Sequence, residues 1–435
     1  MSKKLLLAGL TSGVLASTST AWSQESTQAP DSPVPVAPAP VAPAAVAPAA
    51  VAPEGAGEVP EGAGHPTFEA RGFVELDTIY DFKRVNPAWN AMLRPDTIPT
   101  TPGAFGEDGE FIFSPRRTRF GFQAAYPLGA HELKSKVEVD FFGRGTGRAD
   151  AIGQNTIRLF NAFAEWGPVF VGHTLANFAD ADYGANYLDI WGPPGIIFVR
   201  SASVRYSLLE GTHTLTVALE RPGADFDGTG GPEGAAPKDL LPDASLRYRL
   251  SGAWGHLHVA GLARRLGYDT PGAPAQTTEH VFGYGGTVAA TINVLPGALS
   301  LSPAGLAGRG IGNYVNGAGS DVAFQALADG GAELRALAVY GATLYADVNW
   351  AKSLSSAVGV SWVQTKNSSL QAPGAFESAK YVSANLVYAP APIFFIGPEF
   401  LWAERNDENG ASGTDYRVLL ATRFSFSSLD AVASR

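Results

Sequence analysis

Arginine and histidine residues recur at alternate positions in this chain, and they are the side chains best suited to chemistry. Arg247 and Arg249 are two residues apart, and His256 and His258 repeat that spacing. In a β-strand such pairs lie on one face. A guanidinium stays charged at any working pH and binds a carboxylate through two hydrogen bonds. The spacing therefore predicts strand faces, or walls, whose side chains contact anions. The candidate wall residues are Arg117, Arg119, Arg205, Arg247, Arg249, His256, His258, Arg417 and Arg423.

These candidates differ in how many acidic residues surround them. Arg117 and Arg119 fall between acidic segments at 71–82 and 131–142, which favours ion pairing within the wall over contact with a free anion. Residues 414–426 would adjoin the first of these acidic segments, so both interpretations stay open for the two arginines of that segment. The sequence thus predicts that part of this positive charge is neutralised internally.

A second patch combines Arg247, Arg249, His256 and His258, with Asp243 as the only acid close by in sequence. We therefore predict that this patch is the anion-contacting wall. The two histidines alone provide too few ligands for a metal site, so a polar pair lining the wall is favoured. No cofactor is implied.

The elements that must position these residues are β-strands. Residues 133–141 place mainly apolar side chains at one parity and charged side chains at the other, and residues 71–82 show a similar split. A period of two indicates strands with one face in water and one in an apolar medium. Sixteen such strands are predicted, including one over 116–126 and one over 333–350. Short and long connections alternate, which is typical of a transmembrane antiparallel β-barrel with short periplasmic turns and long extracellular loops.

The N-terminal region indicates export. Lysines precede an apolar run over residues 5–16, and Ala21 and Ser23 suit cleavage between small residues, which predicts a signal peptide over residues 1–23. The Pro/Ala-rich residues 24–69 cannot build a core and are predicted to form a periplasmic spacer. The barrel is then expected over residues 70–426, followed by a tail over residues 427–435.

Composition narrows the class of partner. The chain has 435 residues, no cysteine and a net charge of -10. The absence of cysteine excludes a disulfide framework, and the negative charge argues against nucleic acid as a partner. Without disulfides, stability must come from a hydrogen-bonded sheet, and a closed barrel supplies one without exposed edges.

Two alternatives remain open from the residues. A soluble secreted β-sandwich for binding would also alternate, although long strands, alternating link lengths and aromatic residues near strand ends favour the barrel. An outer-membrane barrel hydrolase would need a Ser–His–acid set that includes His173, His256 or His258. The favoured interpretation is a passive channel that is not an enzyme.

The long connection over residues 176–197 is a candidate constriction. It is rich in aromatic and acidic residues and ends in a stiff Gly/Pro segment. If it folds inward, it narrows a lumen that sixteen strands would leave open to water. The alternative is an ordinary surface loop. The candidate constriction residues are Asp180, Asp182, Tyr183, Tyr187, Asp189 and Trp191.

The chain resembles the DcaP-like outer-membrane porins. The motifs that carry the resemblance are residues 72–82, 116–122, 133–143, 164–167, 171–174 and 188–193. The resemblance implies a sixteen-stranded homotrimer in the bacterial outer membrane, in contact with its lipid. It also implies uptake of small anions, including aromatic dicarboxylates.

Two features depart from the family pattern. The Pro/Ala-rich spacer stands where family members carry a helical coiled coil. Nine residues also follow Phe426, the aromatic residue that would end the last strand.

Overall fold

The computed structural model describes residues 65–143 and 156–429. The predicted signal peptide and residues 24–64 of the spacer lie outside the described residues. So do residues 430–435 of the predicted tail.

Sixteen antiparallel strands form one sheet that closes on itself, because the first strand pairs with the last over Arg71 to Asp81. The predicted all-β barrel of sixteen strands is therefore confirmed. Within the described residues, no helix is both long enough and apolar enough to cross a bilayer. The strands are β1 (Thr67–Asp81), β2 (Glu110–Ser114 and Arg119–Leu128), β3 (His131–Gly143), β4 (Thr156–Trp166), β5 (Val169–Leu175), β6 (Arg200–Leu209), β7 (His213–Glu220), β8 (Asp243–Gly252), β9 (Gly255–Asp269), β10 (Thr278–Leu295), β11 (Leu299–Arg309), β12 (Ala338–Ala351), β13 (Leu354–Lys366), β14 (Phe376–Asn385 and Val387–Ala391), β15 (Phe394–Asp407) and β16 (Ser412–Ser427).

Several strand boundaries differ from those predicted by a few residues, and three differences change how a segment is assigned. β1 begins at Thr67, so its first residues come from the segment assigned to the spacer. β2 is interrupted at residues 115–118. The predicted strand over 333–350 is two strands, because Ala332–Ala336 pairs with Val322–Ala326 in a small sheet of the long connections. Apolar alternation runs through both halves, so periodicity alone could not reveal that break.

The two faces of the barrel wall differ in chemistry. On β1, Val74 and Tyr80 point outward and are 51% and 45% exposed, whereas Glu75, Asp77 and Asp81 point inward and are buried. A soluble sandwich would bury the apolar set instead. The outward surface is therefore an apolar belt suited to lipid, and the charged residues surround the interior.

Long connections fill part of that interior with apolar contacts. Leu93, from the connection after β1, and Leu188, from the connection after β5, pack in one buried cluster with Leu401 of β15 and Leu419 of β16. A second cluster includes Phe178 of the connection after β5. The lumen is therefore narrower than the strand number alone implies.

A charge on the outward face tests the membrane assignment. Leu344 is half exposed in the middle of β12, and Leu344→Arg should destabilise the barrel by about 2–4 kcal/mol, because an arginine there meets the bilayer interior. The measurement is urea titration of the full chain folded into lipid vesicles, followed by tryptophan fluorescence.

The matched control is Leu327→Arg, which places the same charge on an exposed apolar residue of a long connection. It should change the free energy of unfolding by less than about 0.5 kcal/mol. Equal effects of the two substitutions would contradict a lipid-facing β12.

Candidate functional site

The connection between β5 and β6, residues 176–199, enters the barrel and is called the inward loop below. Tyr183 donates a hydrogen bond of 2.6 Å to the carbonyl of Ser302 on β11, and its hydroxyl lies 2.6 Å from Oγ1 of Thr343 on β12. The amide of Gly184 donates to Oγ1 of Thr291 on β10, at 3.0 Å. The middle of the loop is therefore anchored to the wall opposite β5.

A buried carboxylate on β15 holds the next part of the inward loop. Glu399 accepts hydrogen bonds from the amides of Leu188, at 3.0 Å, and Asp189, at 2.6 Å. Asp189 in turn accepts from the amide of Leu93, at 2.7 Å, and Arg117 donates to the carbonyl of Leu188. Glu399 was not predicted as a site residue, because its amide partners are more than 200 positions away in sequence.

Two further aromatic residues of the inward loop, Tyr187 and Trp191, pack against rings of the wall. The Tyr187 ring lies 5.2 Å from that of Tyr345. The Trp191 ring lies 5.8 Å from that of Phe142, and the Arg158 guanidinium lies 4.6 Å from the centre of the Trp191 ring. All six predicted constriction residues thus belong to a segment that lies inside the barrel.

The acidic end of the inward loop meets the patch predicted to contact anions. Oδ2 of Asp180 lies 2.7 Å from Nε2 of His256, and Arg249 contacts the carboxylates of Asp180 and Asp182. Nε2 of His258 lies 3.3 Å from the carbonyl of Phe178. Few acidic residues were expected around Arg249 and His256. The structure differs, because the loop supplies acids that are distant in sequence.

The protonation of Asp180 reflects this contact. Burial acts to raise the pKa of its carboxyl, but the hydrogen bond from His256 and the nearby cations outweigh burial and lower that pKa. The carboxylate form is thus the one that holds the loop end to the wall. The contact is present above the ordinary pKa of aspartate and weakens as the pH falls through the lowered value.

Two arginines of the wall have no carboxylate within ion-pairing distance among the residues in the described ranges. Nη2 of Arg247 donates to Oγ1 of Thr216, at 3.3 Å. Nε of Arg205 donates to Oγ of Ser203, at 2.9 Å, and its guanidinium lies 4.5 Å from the centre of the Phe170 ring. The hydrogen bonds of both guanidiniums go to neutral groups, and the nearest carboxylates act on them only from beyond ion-pairing distance.

These two guanidiniums line one cavity of about 280 Å³ inside the barrel. Glu165 of β4 and Ala181 of the inward loop also line it, so the cavity lies between the wall and the loop. The structure thus brings Arg205 and Arg247 to one cavity, whereas Arg249 and His256, predicted to belong with Arg247, contact the loop acids directly.

Other predicted arginines act as braces. Arg117 lies 2.7 Å from Glu75, and Nε of Arg423 lies 2.5 Å from the same carboxylate. Arg417 pairs with Asp81, and both side chains are fully buried. The pairing interpretation describes these three arginines.

A row of alternating arginine and phenylalanine side chains was not predicted. The Arg119 guanidinium lies 3.3 Å from the centre of the Phe160 ring, and that of Arg200 lies 3.4 Å from the same ring. Arg423 and Arg119 lie 3.8 Å and 5.4 Å from the ring centre of Phe73. The available signal was that Phe73 shares the parity of the acidic residues on β1, so it had to face inward.

The histidines do not assemble a hydrolytic site in the described part of the chain. His256 and Asp180 form a base–acid pair, but no serine hydroxyl there is hydrogen-bonded to His173, His256 or His258. Those same ranges contain no group of three or more His, Cys, Asp or Glu residues that could hold a metal ion.

Sixteen antiparallel strands closed around a charged interior, with an apolar outer belt and an inward-folded connection, define the class. This fold is that of an outer-membrane β-barrel of the porin type. The predicted location, the bacterial outer membrane, agrees with this class.

Solved structures of other proteins share this fold. The chain is similar to the outer membrane channel DcaP of Acinetobacter baumannii, with 20% identity and a TM-score of 0.69 over 84% of this chain and 99% of that one. OmpT of Vibrio cholerae, in its trimer form, matches with 10% identity and a TM-score of 0.51 over 83% and 100%. The anion-selective porin from Comamonas acidovorans matches with 12% identity and a TM-score of 0.50 over 83% and 100%.

No protein-family model and no curated protein matches the sequence. At these identities the structural similarities establish the fold. The resemblance to DcaP-like porins is thereby confirmed at the level of the fold.

Removal of the Glu399 carboxylate tests how the inward loop is held. Glu399→Ala leaves two buried amides without an acceptor, which costs about 1–3 kcal/mol. Hydrogen–deuterium exchange of residues 186–190 should accelerate by roughly tenfold or more.

The control is Glu404→Ala on the same strand, which removes a partner of Lys380 near the surface. It should leave exchange in the loop unchanged. Unchanged exchange in Glu399→Ala as well would show that the loop does not depend on this anchor.

Proposed function

We propose that this protein is an outer-membrane porin that lets small hydrophilic solutes diffuse passively and prefers anions, including carboxylates. The observation that carries the proposal is the cavity lined by Arg205 and Arg247, whose guanidiniums have no carboxylate partner in the described chain. Guanidinium charge that no carboxylate engages directly, held within low-dielectric walls, raises the local concentration of anions.

The inward loop is proposed to set the width and the charge of the passage. Its apolar residues occupy the interior beside β11, β12 and β15. Arg158, Arg247 and Arg249 stay partly exposed on the inward face, whereas Arg117 and Arg417 are buried. A permeating anion would therefore pass between the loop and the wall of β4 to β8.

Assembly as a homotrimer belongs to the same proposal. The sequence resemblance to DcaP-like porins implies it, and OmpT of Vibrio cholerae has been solved in a trimer form. The name of the Comamonas acidovorans protein, an anion-selective porin, supports the preference for anions in this fold. Membership of the DcaP-like family is proposed on these grounds.

Replacement of Arg205 and Arg247 tests the anion preference. In a planar bilayer with a KCl gradient, the reversal potential of the wild type should report preference for chloride. Arg205→Ser combined with Arg247→Ser should lower the anion-to-cation permeability ratio by about fivefold, as expected for the loss of about 1 kcal/mol.

Arg335→Ser is the control for that pair, because Arg335 is an exposed arginine of a connection outside the cavity. It should leave the ratio unchanged. A wild-type preference for potassium would overturn the proposed anion selectivity while conduction itself still supported a porin.

Substitution of the loop acids should have the opposite sign. Asp180→Asn with Asp182→Asn removes the charges that pair with Arg249, so the permeability ratio should rise by about twofold to fivefold. The same bilayer measurement reads it out, and Asp329→Asn, on an exposed turn, is the control. A fall in the ratio would contradict the compensating role of these acids.

A further inference from the structure

Two arginines lie on the outward, lipid-facing side of the barrel. Arg265 of β9 pairs in register with Phe282 of β10, and Arg309 of β11 pairs with Tyr284. Phe282 and Tyr284 are 65% and 51% exposed, and their rings stack with centroids 6.1 Å apart. Both arginines are exposed and flank this aromatic pair.

Neither guanidinium has an acidic partner in the parts of the chain that the structure describes. β9 and β11 lead from Arg265 and Arg309 into long connections, at 270–277 and 310–337. Long connections mark the extracellular end of such a barrel, and exposed aromatic residues mark the headgroup level. The two charges therefore lie at the headgroup level of the outer leaflet.

An apolar groove of about 650 Å³ runs along the outer wall on the side of Arg265 that leads toward the membrane interior. Its sides include Val204, Val217 and Leu246, and its floor includes Gly261 and Ala263. Gly261 and Ala263 lie four and two residues before Arg265 on the same strand and face the same way. The groove and the charge thus form one continuous surface.

The groove is not required by packing within the chain. A Cβ added at Gly261 would meet nothing closer than the carbonyl oxygen of Gly285, at 4.0 Å. Gly286, which pairs with Gly261, would meet the carbonyl oxygen of Ala260 at 3.7 Å. A Cβ would fit at both positions, so contacts within the chain do not require glycine there, and the small residues leave room for an acyl chain.

We propose that this surface binds an anionic phosphorylated lipid of the outer leaflet. Its phosphate lies between Arg265 and Arg309, and one acyl chain lies in the groove. The two Cα atoms are separated by roughly 12 Å, from two strand spacings and a two-residue offset, which two arginine side chains span to reach one headgroup. Guanidinium groups bind phosphate oxygens in pairs, and each methylene that the groove buries adds affinity.

This inference rests on the membrane-spanning fold and not on anion conduction. Both arginines face away from the lumen, so their replacement leaves the permeability ratio unchanged. Failure of the lipid site and failure of the porin proposal are therefore distinguishable.

The test is native mass spectrometry of the full-length protein in an uncharged detergent, titrated with phosphatidic acid. Diacylglycerol with the same acyl chains and inorganic phosphate are the comparison probes. Arg265→Ser with Arg309→Ser should weaken binding of phosphatidic acid at least about tenfold. Arg335→Ser with Lys352→Ser removes two exposed charges elsewhere, one of them in the turn after β12, and should not weaken it.

A second variant tests the groove. Gly261→Leu fills the floor at a position where an added Cβ meets no atom closer than 4.0 Å. It should weaken binding of phosphatidic acid, while heat-modifiable migration on gels shows that the barrel remains folded. Equal losses in both double variants would overturn the proposal, since the effect would be one of general charge. The proposal would also be overturned if inorganic phosphate competed as well as the lipid does. It would be overturned as well if Arg265→Ser with Arg309→Ser dissociated an oligomer and left the binding of lipid unchanged.

Discussion

The hydrogen-bonded seam between β1 and β16 is the constraint on which the rest of the structure depends. Eleven residue pairs, from Arg71 with Ser427 to Asp81 with Arg417, close the sheet. In lipid an unpaired backbone amide or carbonyl costs several kcal/mol, so a barrel of this kind is stable only without edges. Closure also gives every strand one face toward lipid and one toward the interior, and this separates the chemistry of the two surfaces.

Inside the barrel, charges that are far apart in sequence balance one another. The wall contributes most of the arginines. The inward loop contributes Asp180 and Asp182, which contact Arg249 and His256. Arg117, Arg417 and Arg423 are engaged by acids of β1. In the described part of the chain, Arg205 and Arg247 have no carboxylate within ion-pairing distance. The net charge of this interior is therefore set by the difference between wall and loop charges and not by the number of arginines.

The inward loop is held by polar anchors as well as by apolar packing. Glu399 takes two amides of the loop, and Tyr183 reaches β11 and β12. Apolar side chains such as Phe178 and Leu188 are removed from water in the same segment. A loop fixed at several strands keeps its acids in place, so the electrostatic balance is a property of the folded state.

Alternation along the sequence determined the strands and their faces, because side-chain parity is a local property of a strand. The bounds of β8 and β13 follow from it, as do the inward positions of Arg205, Arg247 and His258. Only the tertiary structure decided which charges are neutralised. Asp180 and His256 are separated by 76 positions, and no local pattern reports such a contact. Register, loop path and ring stacking depend on residues far apart in the chain, so packing alone assigns their partners.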